Sequence, residues 1–295
     1  MGYLYMLFAV SSNAVKGYCG KKQSLLINGP RDAMTVNFLR MICCTIVGAA
    51  ILAAGNTAFL PPLDSAALPI LIASGLSNAS QVVCWMLAAR LSAVTLMDVF
   101  ATLGLIVPMV TCSFLFNETI RPIQWLGYIL LCAAAAVMCS YSISLKKKKM
   151  GFVDFALLLG FGFSLGITDL TQKLYVNYCP ELPTSMFNFY TFLFAAVFTG
   201  IATLITPKKA GEPPCPIKKA WPYVVAMALS LFLVTWCKTA AAGILPAAQA
   251  YPLYQGGVLI SMALVGAIFF GEKITRRCIL GISMTFLAML MMNVL

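Results

Sequence analysis

Histidine is absent from the 295-residue chain, and only 10% of its residues are charged. The first absence removes the commonest general base and metal ligand. The second leaves too little polar surface for a water-soluble domain, of which about 25% is normally charged. None of the eleven cysteines stands in a Cys-x-x-Cys pair, so the sequence indicates neither a zinc site nor a disulfide framework. Cys43, Cys44, Cys84, Cys112, Cys132 and Cys237 lie within apolar runs, where a thiol acts as a small hydrophobe. No nucleotide-binding motif occurs, and no cofactor or metal is expected.

What the chain has in excess is apolar: 61% of residues are hydrophobic and the mean hydropathy is +0.91. The solvent for such a chain is the lipid bilayer. The formal charge of +11 sits in short clusters between apolar runs. That is the pattern of loops flanking membrane helices, not of a nucleic-acid-binding face. A helix needs about 20 apolar residues to cross the hydrocarbon core. On that measure the sequence predicts ten spans, over 2–20, 33–54, 66–89, 93–116, 122–143, 151–175, 185–206, 220–242, 246–270 and 276–295. The first run lacks a basic start and a small-residue cleavage site, so it reads as a span and not as a signal peptide.

Short loops make neighbouring spans antiparallel, and the loop charges then orient the bundle. One side carries Lys21, Lys22, Arg31, Arg90, Lys146 to Lys149, Lys208, Lys209, Lys218, Lys219, Lys273, Arg276 and Arg277; the other carries Arg121 and Lys173. The crowded side is expected in the cytoplasm, with both termini outside.

The chain also repeats. A shift of 154 positions lays Leu91, Glu118, Ile120 and Gly127 on Leu245, Glu272, Ile274 and Gly281. A shift of 149 lays Gly2, Gly17 and Gln23 on Gly151, Gly166 and Gln172, and one of 151 lays Asn37-Phe38 on Asn188-Phe189. Five spans per copy is an odd number, so the second copy enters the membrane from the opposite side. The expected architecture is an all-α integral membrane protein of ten transmembrane helices, built as two inverted five-helix repeats over 1–145 and 150–295. Inverted repeats are a common basis for a site that opens alternately to each face.

The turn Gly271-Glu272-Lys273-Ile274 with its copy Asn117-Glu118-Thr119-Ile120, the segment Asn37-Phe38-Leu39-Arg40 and Pro108 in the fourth span resemble the drug/metabolite transporter superfamily in its ten-helix EamA-like branch. The resemblance extends over essentially the whole chain. It implies a membrane transporter. Three departures accompany it: Ser11-Ser12 replaces the Trp-Gly often seen in the first span, Met262 replaces a second fourth-span-type proline, and the charge bias reverses the family's usual cytoplasmic termini.

A charge placed in mid-span costs at least about 2.5–3.5 kcal/mol, so each calls for a role. Lys16, Arg40, Asp98, Asp169, Lys173 and Lys238 qualify. Depth along the spans suggests an inner group, Asp98 with Lys16 or Arg40, and an outer group, Asp169 with Lys238 or Lys173. Such pairs serve as gates or coupling sites, or else as static helix locks. Glu118 and Glu272, at helix ends, read as turn caps. Between the two groups, Asn78, Gln81, Trp85, Thr95, Ser164, Thr168, Trp236, Gln249, Tyr251, Tyr254 and Gln255 are polar or aromatic. The expected solute contacts are Tyr254, Gln255, Tyr251, Trp236, Trp85, Gln81, Asn78, Ser164 and Thr168. Tyr254-Gln255-Gly256-Gly257 after Pro252 has the composition of an interrupted midplane helix, although glycines also serve close helix packing.

Rival classes fit less well. Gly162-Phe163-Ser164-Leu165-Gly166 matches a hydrolase elbow, but it lies in a helical pattern in a chain without histidine. Asp98 and Asp169 fall at different depths with no Gly-x-Gly-Asp before them, unlike an aspartyl intramembrane protease. A channel would need a selectivity loop or a ring of charges. The remaining alternative is a non-transporting membrane scaffold. The sequence thus reads as a secondary active transporter of the cytoplasmic membrane, a monomer or homodimer driven by a proton or ion gradient or by exchange. Its expected solute is a small metabolite: amino-acid-like, an amine or aromatic.

Overall fold

The computed structural model describes residues 1–24, 26–27, 29–56, 66–91, 96–143, 152–207, 217–271 and 276–293, with the side chains of residues 24, 86–91, 96, 98, 138–143 and 154 left outside that description. Thr95, Glu272 and the Lys146 to Lys149 run therefore lie outside the described residues, as does the side chain of Asp98. Eleven α-helices and no strand occur among the described residues: α1 Gly2–Ser24, α2 Pro30–Ala54, α3 Ala67–Leu91, α4 Leu96–Gly104, α5 Ile106–Phe116, α6 Pro122–Ile143, α7 Phe152–Tyr178, α8 Thr184–Ile205, α9 Ile217–Ala242, α10 Ala247–Phe270 and α11 Arg276–Asn293. Seven segments are long and apolar enough to cross a membrane, and Pro122–Val137 is a shorter apolar one. Large apolar side chains such as Phe114 (81% exposed), Leu204 (80%) and Ile268 (71%) face outward, as a lipid-solvated surface requires. The protein is a multi-pass membrane protein.

Local chemistry sets the helix ends. Pro30 and Pro122 open α2 and α6, where a missing N–H costs nothing, and Pro183 and Pro246 stand immediately before α8 and α10. Asn117 and Gly271 end α5 and α10 in left-handed backbone, at φ 52° and 63°.

The span expected over 93–116 comes as two helices. Pro108 has no N–H to offer the Gly104 carbonyl four residues back, and its ring crowds that group. The helix breaks there, at Leu105. Close packing accompanies the break. A Cβ built on Gly166 would lie 2.3 Å from the Gly104 oxygen, and one on Gly104 would lie 2.0 Å from the Gly162 oxygen. The Gly162–Gly166 motif is thus a flat strip of α7 on which α4 rests backbone to backbone.

The helices pair across the bundle: α1 lies along α9, α2 along α8, α3 along α7 and α6 along α11. Helix α9 also packs on α2, and α10 on α1. At one end Phe116 meets Tyr178, with ring centroids 5.7 Å apart. At the other, Tyr18 lies 5.0 Å from Phe269, and Lys21 sits over the Phe270 ring. The second is the basic end.

Candidate functional site

Helix α7 presents Asp169, and α9 presents Lys238, which donates to the Asp169 Oδ1 atom. The pair is enclosed, with side-chain exposures of 1% for Asp169 and 6% for Lys238. Asp169 Oδ2 has no partner among the described residues. Taking two such charges out of water costs several kcal/mol per ion, which their attraction repays only with good geometry and further contacts. Those contacts come from α10. The Lys238 Nζ lies 4.4 Å from the Tyr254 ring centroid and 5.6 Å from that of Tyr251, within reach of cation–π attraction. Tyr251 Oη donates to the Asp169 backbone carbonyl at 2.6 Å. Tyr254 Oη donates to Asn13 Oδ1 on α1 at 3.3 Å.

Three residues apart, Tyr251 and Tyr254 share one face of α10. Gln255, one turn after Tyr251, is buried as well. The neighbouring glycines have a packing role: a Cβ on Gly256 would lie 2.6 Å from Met289 Sδ, and one on Gly257 2.6 Å from Val10 Cγ2.

Lys16 on α1 and Arg40 on α2 are half-buried. Arg40 Nε is shut off from solvent without a hydrogen-bond partner among the described residues. Helix α9 packs against both α1 and α2, meeting α2 at Ala228, whose carbonyl accepts from Cys44 Sγ. The side chain of Asp98, expected to pair with Lys16 or Arg40, is outside the described residues.

Lys173 departs from the expected grouping with Asp169. Its ammonium reaches Glu118 Oε1 at 2.8 Å and donates to the carbonyls of Ala242 and Leu245 at 3.0 and 2.9 Å. Glu118 Oε2 accepts the Ala247 N–H at 2.8 Å. Glu118 is therefore a cap, as expected, but for the distant helix α10, while Lys173 holds carbonyls at the end of α9. The clasp fixes the turn between α9 and α10 against α7 at the end opposite the basic one.

Thr168 spends its hydroxyl on a chain linking α7, α3 and α8. It meets Ser77 Oγ at 2.9 Å, Ser77 donates to the Ser74 carbonyl at 3.0 Å, and Ser74 meets Thr191 Oγ1 at 2.9 Å. The Ser164 carbonyl accepts from Thr168. Asn78 is buried on α3 and Gln81 is partly buried there. Trp236 stacks edge-on against Tyr5, centroids 5.8 Å apart, while Trp85 is 36% exposed. A cleft of about 200 Å³ lies between the ends of α7 and α9, lined by Tyr175, Cys179, Leu182, Thr239 and Gly243 among others. Of the groups the sequence reading passed over, Asn13 was visible as a lone amide in an apolar run. The Ser74–Thr191 link carries no local signal.

Among the curated proteins, none matches this chain. A solved crystal structure of a protein is similar to it, with a TM-score of 0.74 over 99% of this chain and 96% of that one. At 14% identity that likeness is one of fold alone. Residues 154–294, just under half of the chain, match the model of the EamA-like transporter family, which is consistent with the drug/metabolite transporter superfamily.

Proposed function

We propose that the protein is a secondary active transporter that carries a small organic metabolite across the cytoplasmic membrane by alternating access, powered by a gradient or by exchange. The observation that carries this reading is the enclosed Lys238–Asp169 pair beneath Tyr251 and Tyr254, the latter bonded to Asn13 of α1 in the first half of the sequence. A static fold gains little from such a pair, since well-packed apolar residues of the same volume often do as well or better. A device that forms and breaks the pair as solute enters has use for it.

The ten-span inverted architecture, with both termini outside, belongs to the same reading. Counting α4 and α5 as one span, the repeat exchanges the α1–α9 contact with the α3–α7 contact, and both are extensive. Asn117 and Gly271, equivalent under the 154-position shift, both adopt left-handed backbone at a helix end. In this arrangement the Lys173–Glu118 clasp is a closed gate at the outer end, and the Lys238–Asp169 pair lies beneath it.

The test is a thermal-shift screen of purified protein against amino acids, amines, carboxylates and nucleosides, followed by uptake into proteoliposomes. A transporter gives a stabilising solute that is also taken up, and Asp169→Asn abolishes uptake in a folded protein. A scaffold gives no stabilising solute, and Asp169→Asn and Tyr254→Ala proteins that retain every measured property.

A further inference from the structure

We propose that the cleft between the ends of α7 and α9 leads to a binding subsite for a primary carboxamide, built from Gln172 and Asn188. On the transporter reading, on which this last step rests, the carboxamide belongs to the solute. The cleft is lined by Val176 of α7, Thr184 of α8 and Thr239 of α9 among others. Toward the basic end, Gln172 stands one turn deeper than Val176, and Asn188 one turn deeper than Thr184. Each amide is thus on the stripe of its helix that lines the cleft. Contacts on either side put the two at one depth. Above them Tyr175 meets Phe187, with ring centroids 4.9 Å apart. Below them, Ser77 and Ser74 of α3 take up the hydroxyls of Thr168 and Thr191. Helices α7, α8 and α9 pack only sparsely on one another, each leaning instead on other helices.

Both amides are enclosed, Asn188 at 0% exposure and Gln172 at 1%. Yet Asn188 Nδ2, Asn188 Oδ1 and Gln172 Oε1 all lack a hydrogen-bond partner among the described residues. Buried polar groups left unpaired are costly, and each calls for an explanation. The repeat sharpens the case. Asn37, equivalent to Asn188 under the 151-position shift, donates its amide to the Ala33 carbonyl four residues back. Asn188 keeps both amide atoms open. One donor group and two acceptors are therefore on offer. A primary carboxamide is their complement: its oxygen accepts from Asn188 Nδ2, and its two N–H groups donate to Asn188 Oδ1 and Gln172 Oε1. A carboxylate would set its oxygens against two acceptors, and an ammonium would face the donor group of Asn188. Either would also carry its charge into an enclosed place.

The experiment uses the full-length protein with acetamide and nicotinamide as probes. Their mates are acetate, nicotinate and the methyl ketone that matches nicotinamide, which keeps the carbonyl and loses the N–H groups. Binding is read from the melting temperature and from the alkylation rate of Cys179, which lines the cleft. Nicotinamide counterflow is followed in proteoliposomes. The two amides are expected to raise the melting temperature and to slow Cys179 alkylation several-fold, and the three mates to do neither. Asn188→Leu should weaken the apparent affinity for both amides about tenfold, and Gln172→Met by a smaller factor. Without ligand both variants should melt level with the wild type or above it, since apolar atoms replace unpaired polar ones. Equal protection by nicotinate or the ketone, amide protection that survives both substitutions, or no protection by either amide overturns the carboxamide subsite. Counterflow of another solute would then leave the transporter reading standing. Amide protection that the variants lose, without counterflow, keeps the subsite and overturns the transport of its ligand.

Discussion

Replacing Lys238 with methionine keeps the length and most of the volume of the side chain and removes one charge. Asp169 is then left 1% exposed with neither carboxylate oxygen bonded by a side chain, since Oδ2 already has no partner. Breaking a buried pair in this way costs about 3–5 kcal/mol. The cation–π contact to Tyr254 goes too, worth about 0.5–2 kcal/mol. At about 2–4 °C per kcal/mol for a chain of this order of size, the melting temperature should fall by on the order of 10 °C. The matched double variant, Lys238→Met with Asp169→Asn, removes both charges and should recover most of the loss, because no buried charge is then stranded. Thermal unfolding followed by tryptophan fluorescence measures both. If Lys238→Met melts with the wild type, the charges are solvated and the site is not enclosed. If the double variant is as unstable as the single one, the loss comes from packing, and the electrostatic reasoning fails.

Much of this fold was legible because a bilayer imposes one length and one polarity on every span. The expected segments fall on the observed helices to within a few residues, with the break at Leu105 as the exception. Pro108 was noted as a family feature, yet a proline alone does not say whether a helix bends or breaks. The outcome rests on whether a neighbour can approach the freed carbonyl, and here Gly162 and Gly166 of α7 allow it. The Asp169–Lys238 pair was legible for a related reason: each is a lone charge in an apolar span, and the cost of leaving it single selects a partner. Depth alone could not choose between Lys238 and Lys173. One turn of helix separates Asp169 from Lys173, but Lys173 turns toward the end of α9, where carbonyls of Ala242 and Leu245 and the Glu118 carboxylate satisfy its three N–H groups.

Two further perturbations test the frame around the site. Gly166→Ala places a methyl 2.3 Å from the Gly104 oxygen and should cost about 1–3 kcal/mol by forcing α4 off α7; Gly243→Ala, whose nearest neighbour is 3.6 Å away, should melt within a degree or two of wild type. The clasp offers the sharper test. Lys173→Met strands Glu118, but that carboxylate is 18% exposed and keeps the Ala247 N–H, so the expected loss is smaller than at Lys238, about 1–3 kcal/mol. Its main effect should be on opening. Cys179, 6% exposed, lines the cleft at this end beside Tyr175 and Gly243. Once the α9–α10 turn is released from α7, that thiol should be alkylated by a maleimide several-fold faster, as followed by site-resolved mass spectrometry. Cys44, fully buried against α9 at Ala228 and away from the clasp, serves as the internal reference and should keep its wild-type rate. Faster modification of both would mean general loosening. An unchanged Cys179 rate in a protein that has nonetheless lost stability would show that the clasp holds the fold together without gating it.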